Sequence, residues 1–600
     1  MLKNMKITVK KEMKIEKEKE VMDLRDKRPL PIGISDFKTV IEENYYYADK
    51  TDMIGDILDD RAMVTLFTRP RRFGKTLNMS MMKYFFGIEN TEENKKLFDG
   101  LAISNKEYMK EQGQYPVIFI SFRNIEEENW EDCYFEIKNI ISRTYNEFEF
   151  LRETLNQSEL AEFDSIWLKK EKADWKSSLK NLTRYLYKYY DRKKVVVLID
   201  EYDTPIIQSY QEKYYKKLIS FFKRFYGDVM KDNEYLQFGI MTGILRIAKE
   251  GIFSGLNNLK VNTIFSEKYS EYYGLTEEEV LEAVKYYDME YEMQDIRKWY
   301  DGYQFGKSEV YNPWSIINFL NERELKAYWI GVSGNSMIND LLSKGDRHIV
   351  ENLEKLFNEE IIYKAVRDYT EYKFDSSDIW ELFLYSGYLT IAGEKQGEEY
   401  PLRLPNKEIQ SFFRKIFIEK FIGNYDKFLH IIRNLKDGKI EEFAEGLEEE
   451  ILSSLSYFDT GRDEKYYKIF LIGIFITLLN DYIRLSERET GTVRADLILE
   501  PKNKKNPAYI FEFKVAEDEK ELENYAVEGF YQIKKKQYDV ELKNRGINEI
   551  IYVGLAFHRK ELKMKYEKRK FWVRRQTKTK LIKILAKLSK NEYNISEKHI

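Results

Sequence analysis

The sequence predicts an α/β protein. A parallel sheet with flanking helices is built around a phosphate-binding loop, a helical, winged-helix-like region follows, and a second α/β sheet lies near the C-terminus. Three observations carry this reading. Short apolar runs alternate with helical stretches from about residue 31 to about 265, the βαβ rhythm of a parallel sheet. One of these runs, Met63–Phe67, leads directly into Thr68-Arg69-Pro70-Arg71-Arg72-Phe73-Gly74-Lys75-Thr76. Beyond about residue 460 strand-like runs return, now with charged residues set inside them.

A strand that ends in a loop closing on Gly-Lys-Thr builds a site for a nucleoside triphosphate. Backbone N–H groups of the loop and the positive end of the following helix face the phosphates. Arg72, Phe73 and Gly74 form the loop, Lys75 would reach the β- and γ-phosphates, and the Thr76 hydroxyl would ligate Mg²⁺. The general pattern G-x-x-x-x-G-K-[ST] begins with a glycine. Here that position is Arg69, and Pro70 removes one N–H donor.

Val195–Ile199 is a continuous, mostly β-branched run, as expected of a strand buried on both faces. It ends in Asp200-Glu201. Asp200 at a strand tip can hold Mg²⁺, and Glu201 can polarise an attacking water. A further strand, Gln237–Met241, leads to Thr242 and Arg246, which would sit beside the γ-phosphate and sense it. An ordinary strand exit carrying a surface arginine is the alternative for Arg246.

Composition narrows the chemistry. A chain of 600 residues, 43% hydrophobic and 34% charged, is globular and long enough for three or four domains. The net charge of −4 argues neither for nor against nucleic acid. One cysteine, Cys133, excludes an intramolecular disulfide and suggests a reducing compartment. The four histidines, His348, His430, His558 and His599, are widely spaced, so zinc sites and Cys–His catalysis have little material. Metal chemistry must therefore use oxygen ligands, which points to Mg²⁺ or Mn²⁺. The longest apolar stretch, Ile469–Leu479, is too short to cross a bilayer, and the N-terminus has no signal-like segment. A cytoplasmic protein with no membrane partner is expected, and its Lys-, Glu-, Asn-, Ile- and Tyr-rich usage suggests an AT-rich bacterial genome.

Along the chain, residues 1–28 read as a charged leader, 29–265 as the phosphate-loop domain and 266–450 as a helical lid or winged-helix-like region. Residues 451–560 read as a second catalytic domain and 561–600 as a basic tail. Thr276 followed by three glutamates is a helix N-cap with acids in the first turn. Aromatic turns follow at Trp299–Tyr303 and Val310–Ser315, and Ser386–Thr390 is a strand-like break.

The second chemical constellation is Arg494–Leu499 followed, after the polar hairpin Lys502–Pro507, by Ala508–Val515. Residues two apart on a strand share a face, so Glu512 and Lys514 project together. With Asp496 on the adjacent strand, the acids make an oxygen-only Mg²⁺ site and the lysine orients an attacking water. Glu464 could add a carboxylate, and Gln532 on the next helix could contact the site. A cross-strand ion-pair ladder is the structural alternative. The tail, with Lys563, Lys565, Lys568, Arg569, Lys570, Arg574, Arg575, Lys578 and Lys580 around Phe571 and Trp572, suits a nucleic-acid backbone or, equally, a solvated helix face.

These residues resemble a known pairing. Pro31–Phe37, Tyr47–Thr51, Arg69–Thr76 and Leu198–Asp203 are similar to the bacterial AAA-ATPase-like family, whose own loop carries the Arg-Pro-Arg-Arg departure. Its members usually end in a PD-(D/E)XK nuclease-superfamily domain, restriction-endonuclease-like in fold. Asp496, Glu512-Phe513-Lys514, Gln532 and Tyr552–Phe557 match it here. The resemblance implies ATP binding but no biological role. The reading it favours is an ATP-dependent switch coupled to a metal-dependent nuclease acting on DNA or RNA, in defence or mobile-element biology. A non-cleaving, ATP-regulated sensor that binds nucleic acid or protein is the alternative. A homo-oligomer or a protein partner stays open.

Overall fold

The structure is a computed structural model and describes residues 27–247, 258–289, 291–329, 347–357, 359–367, 378–421, 424–454, 477–478, 481–484, 495–558 and 561–571. The chain divides into two compact units, 1–413 and 414–600.

The first unit is built on a five-stranded parallel sheet. Its strands are β1 (Val64–Thr68), β2 (Val117–Ser121), β3 (Val195–Asp200), β4 (Leu236–Gly243) and β5 (Leu259–Asn262), in the order β2-β3-β4-β1-β5. Burial follows position. All residues of β1 and β3 are buried, whereas β2, at one edge, alternates between buried and half-buried. Both strands read as unbroken apolar runs, Val117–Ile120 and Val195–Ile199, and only β3 is buried on both faces. The other edge strand, β5, is short and carries only two apolar residues, so periodicity could not reveal it.

Between β2 and β3 lie helices Trp130–Glu147, Gln157–Trp167 and Ser178–Tyr189, whose aromatics are largely core. Phe163, Trp175 and Tyr185 are buried there, and so is the thiol of Cys133. After β5, Thr276 caps helix Glu277–Tyr286. Its hydroxyl accepts from the Glu279 N–H while the Glu279 carboxylate accepts from the Thr276 N–H, a reciprocal box where the sequence suggested an N-cap with acids in the first turn. The hairpin β6 (Tyr303–Phe305) and β7 (Ser308–Val310) leads to helix Pro313–Glu322, capped by Asn312. The region expected as helical also holds a small antiparallel sheet of β8 (Ile362–Ala365), β9 (Thr390–Ile391) and β10 (Glu399–Arg403).

The second unit contains helices Tyr425–Lys436 and Ile440–Ser454 and a mixed sheet in the order β11 (Tyr482–Arg484), β12 (Leu497–Pro501), β13 (Ala508–Val515), β14 (Glu549–His558) and β15 (Glu561–Lys570). Only β13 and β14 run parallel, joined through helix Leu522–Lys535. The Tyr509 hydroxyl donates to the Leu435 carbonyl, tying the first of those helices to the sheet. The segment expected to start a basic tail is instead the edge strand β15, and its lysines suit an unpaired strand edge. Trp572, Arg574, Arg575, Lys578 and Lys580 lie outside the described residues, as does Glu464. No helix among the described residues is long and apolar enough to cross a membrane.

Candidate functional sites

The phosphate loop links β1 to helix Lys75–Phe86. Gly74 is the helix N-cap at φ 83°, where a side chain would be strained, and Arg72 also takes a positive φ of 70°. Lys75 is buried, and its ammonium donates to the loop carbonyls of Arg69 (3.1 Å) and Pro70 (2.9 Å). Burial pulls its pKa down, against the pull of Glu201, Asp200 and Asp203.

The loop side chains explain the departure from the glycine pattern. Arg69 is fully buried, with its guanidinium 5.0 Å from the Tyr273 ring centroid and 5.3 Å from that of Phe305. Two of its nitrogens, Nε and Nη2, have no hydrogen-bond partner among the described residues. Burial brings its pKa down to about 10. Phe73 packs against Tyr303 and Phe305, and Arg72 stacks 4.4 Å from the Trp314 ring centroid. A Cβ on Gly387 would come within 2.9 Å of Pro70. The loop is therefore held by its own side chains against the segment that follows the sheet.

One strand, β4, separates the loop strand from the acid strand, and its tip completes the site. Asp200 is fully buried and accepts from Thr76 Oγ1 (2.9 Å), Thr242 Oγ1 (2.5 Å) and Ser121 Oγ (3.3 Å). Burial, then the Glu201 charge, raises its pKa, while the two threonine hydroxyls and Lys75 oppose. Glu201 sits at φ 48°, half-exposed, and accepts from Thr204 Oγ1 at 3.1 Å. The structure thus brings Thr76, Asp200 and Thr242 together.

Asp203, which the sequence reading left without a role, is buried. Its Oδ2 takes the N–H groups of Ile244 (2.8 Å) and Leu245 (2.7 Å), so it clips the β4 exit to the acid strand. Burial pushes it up to about 6.

A cavity of about 490 Å³ opens in front of the loop. Its polar side is lined by Arg71, Arg72, Gly74, Lys75 and Thr76 from the loop, and by Arg123, Asn124, Glu126 and Glu201. Pro31, Ile34, Leu77, Trp314 and Ile317 supply an apolar side. A volume and mixed lining of this kind suit a small organic anion. Arg246 does not line the cavity; its charge is felt by Tyr202 instead. Arg123 and Asn124 went unnoticed in the sequence, although a polar pair just past a strand tip is a detectable signal. Four cationic side chains facing one cavity fit a polyphosphate, and the Thr76 hydroxyl beside Asp200 fits Mg²⁺.

The second site forms where β13 runs beside β12 and β14. The register Leu497↔Phe511 sets Asp496 next to Glu512, and the Phe513 N–H donates to Asp496 Oδ2 at 2.7 Å. Glu512 is buried. Its Oε1 accepts from the Gln532 amide, whose oxygen in turn takes Lys514 Nζ at 2.8 Å. Its Oε2 is buried with no partner among the described residues. Burial, then the Asp496 carboxylate, pushes Glu512 up to about 7.

Asp496, Glu512, Lys514 and Gln532, four of the five residues predicted for this site, thus meet; the fifth, Glu464, lies outside the described residues. An orphaned carboxylate oxygen beside a second acid is the environment a divalent cation would satisfy. Among the described residues no group of three or more His, Cys, Asp or Glu is arranged around one point.

Gly554 makes the site possible. It is in register with Glu512, and a Cβ there would lie 2.3 Å from the Ala526 carbonyl and 2.4 Å from the Phe530 nitrogen. Helix Leu522–Lys535 can approach the sheet this closely only over a glycine, and that approach brings Gln532 to Glu512. A lone glycine inside an apolar strand was the available signal.

Residues 31–253 match the family model described as predicted AAA-ATPase (AAA-ATPase-like), and residues 462–567 match the PD-(D/E)XK nuclease superfamily. An uncharacterized protein in the vnfD 5′ region of Azotobacter chroococcum mcd 1 is 27% identical over 549 residues, covering 89% of this chain and 97% of that protein. Domains of these two kinds are generally nucleotide- and divalent-metal-dependent. The chain carries the architecture its motifs resemble: a predicted AAA-ATPase segment followed by a segment of the PD-(D/E)XK nuclease superfamily.

Proposed function

We propose that this chain is an ATP-binding, ATP-hydrolysing switch coupled to a Mg²⁺-dependent nuclease that cuts DNA or RNA. In the first unit, Lys75 and the loop amides would bind the phosphates, Thr76 and Asp200 would hold Mg²⁺, and Glu201 would orient the attacking water. In the second, Asp496 and Glu512 would hold Mg²⁺ or Mn²⁺, which supplies Lewis-acid activation when bound. Lys514, kept in place by Gln532, would orient water and stabilise charge on the phosphorus centre.

The observation that carries the nuclease reading is the buried Glu512 oxygen left without a partner beside Asp496. The ATPase reading rests on Thr76 and Asp200 meeting at 2.9 Å behind a cation-lined cavity.

The test is incubation of the full chain with DNA and RNA in Mg²⁺ or Mn²⁺, with and without ATP, beside K514A and K75A. K514A should lose cleavage by about 10²–10³-fold, as when a preorganised stabilising donor is removed. K75A should lose ATP binding while keeping the metal site. Binding of nucleic acid without cleavage by the wild type would instead favour the non-cleaving sensor.

A further inference from the structure

β2 ends beside the acid strand, and its end is fixed there. Ser121 is in register with Asp200 and reaches its Oδ2 at 3.3 Å, and the Phe122 N–H donates to the Asp200 carbonyl at 3.1 Å. Arg123 is the next residue. It emerges exposed at the cavity rim, on the far side of Asp200 from the phosphate loop, and lines the same cavity as Lys75, Thr76 and Glu201. Among the described residues it forms no salt bridge, although Arg72 lies close enough to feel its charge. An arginine held by its backbone beside two acids, yet paired with neither, is placed for an anion that arrives with the ligand.

The cavity lining also divides by chemistry. Trp314, Ile317, Pro31 and Ile34 are apolar and suit a base, while Lys75 and Thr76 suit phosphates. Arg246, the cation that the sequence suggested for this task, does not line the cavity.

We infer that Arg123 is the side chain that reads the terminal phosphate, so that the site distinguishes a nucleoside triphosphate from a diphosphate. This rests on the ATP reading above. The terminal phosphate is the group that a diphosphate lacks, so removing Arg123 should weaken triphosphate binding selectively. A residue that merely supported the fold would weaken both nucleotides.

The experiment is displacement of a fluorescent ADP by ATP and by ADP, in Mg²⁺, from full-length wild type, R123A, R123K and K75A. R123A should bind ATP about tenfold more weakly, within the range for one charge-assisted hydrogen bond at an exposed site, and R123K should recover part of the loss. ADP affinity should stay within about twofold, which also reports that R123A is folded. Unchanged ATP affinity in R123A overturns the inference while leaving the ATP reading intact. An equal loss for both nucleotides overturns it too, because the residue would then serve the whole site. Wild type that binds neither nucleotide sinks the ATP reading itself, and Arg123 with it.

Discussion

The two sites pair a buried acid with a nearby lysine, yet they satisfy it differently. Asp200 is surrounded by hydroxyls from three separate elements, Thr76, Ser121 and Thr242, and Lys75 rests on its own loop carbonyls. Glu512 has one oxygen held by Gln532 and the other buried without a partner among the described residues. The first site is complete as a protein structure and presents its charges outward to a cavity. The second keeps an open valence inside. A preorganised shell lets the first site wait for an anion, whereas the second acid becomes favourable as an anion only when a cation joins it.

The contrast can be broken most severely at Arg69. If the loop owes its shape to side chains docked behind it, R69G, which restores the general glycine pattern, should destabilise the first unit by roughly 2–5 kcal/mol, the cost of emptying a large core side chain. R69M, which keeps the volume and drops a poorly paired buried charge, should cost much less. Thermal melts of the three proteins check this, and a gain of stability in R69G would show that the loop is shaped by its backbone instead.

At the second site the corresponding device is a gap rather than a bulky side chain. G554A should cost roughly 1–3 kcal/mol through overpacking and push helix Leu522–Lys535 off the sheet, weakening the Gln532–Glu512 contact. Cleavage that falls more than stability requires would mark that contact as functional.

The smallest effect separates the acids by pH. Glu512 titrates near 7 instead of its ordinary 4.5, so the folded state holds a proton that the unfolded chain releases in that window. Its contribution to stability is therefore present below about 4.5 and lost as pH rises through about 7. E512Q should lack that loss, melting higher than wild type at pH 8 than at pH 5 by comparison. Mn²⁺ should raise the melting temperature of wild type at pH 8 by more than that of E512Q, where only the Thr76–Asp200 site could still take the ion. An equal Mn²⁺ shift in E512Q and wild type would show that Glu512 does not hold the metal.

Much of this was legible in the chain itself. Strands buried on both faces betray themselves as apolar runs, which is why β1, β3 and β4 could be read to within a residue or two, and why Asp200, Glu512 and Lys514 stood out as charges at the end of, or within, such runs. The edge strand β2 was legible too, as Pro116–Ser121, but the edges β5 and β15 were less visible. β5 is too short and too polar to announce itself, and β15 looked like a basic tail because an edge strand presents lysines to solvent.

Local pattern determined which residues carry chemistry, since residue type and strand period depend only on neighbours along the chain. Tertiary structure alone decided which of them meet. Arg123 lines the cavity and Arg246 does not, because strand order, which no local pattern encodes, put the tip of β2 beside Asp200. It likewise decided that Arg69 packs where a glycine was expected, because the partners that bury it, Tyr273 and Phe305, lie some two hundred residues further along the chain.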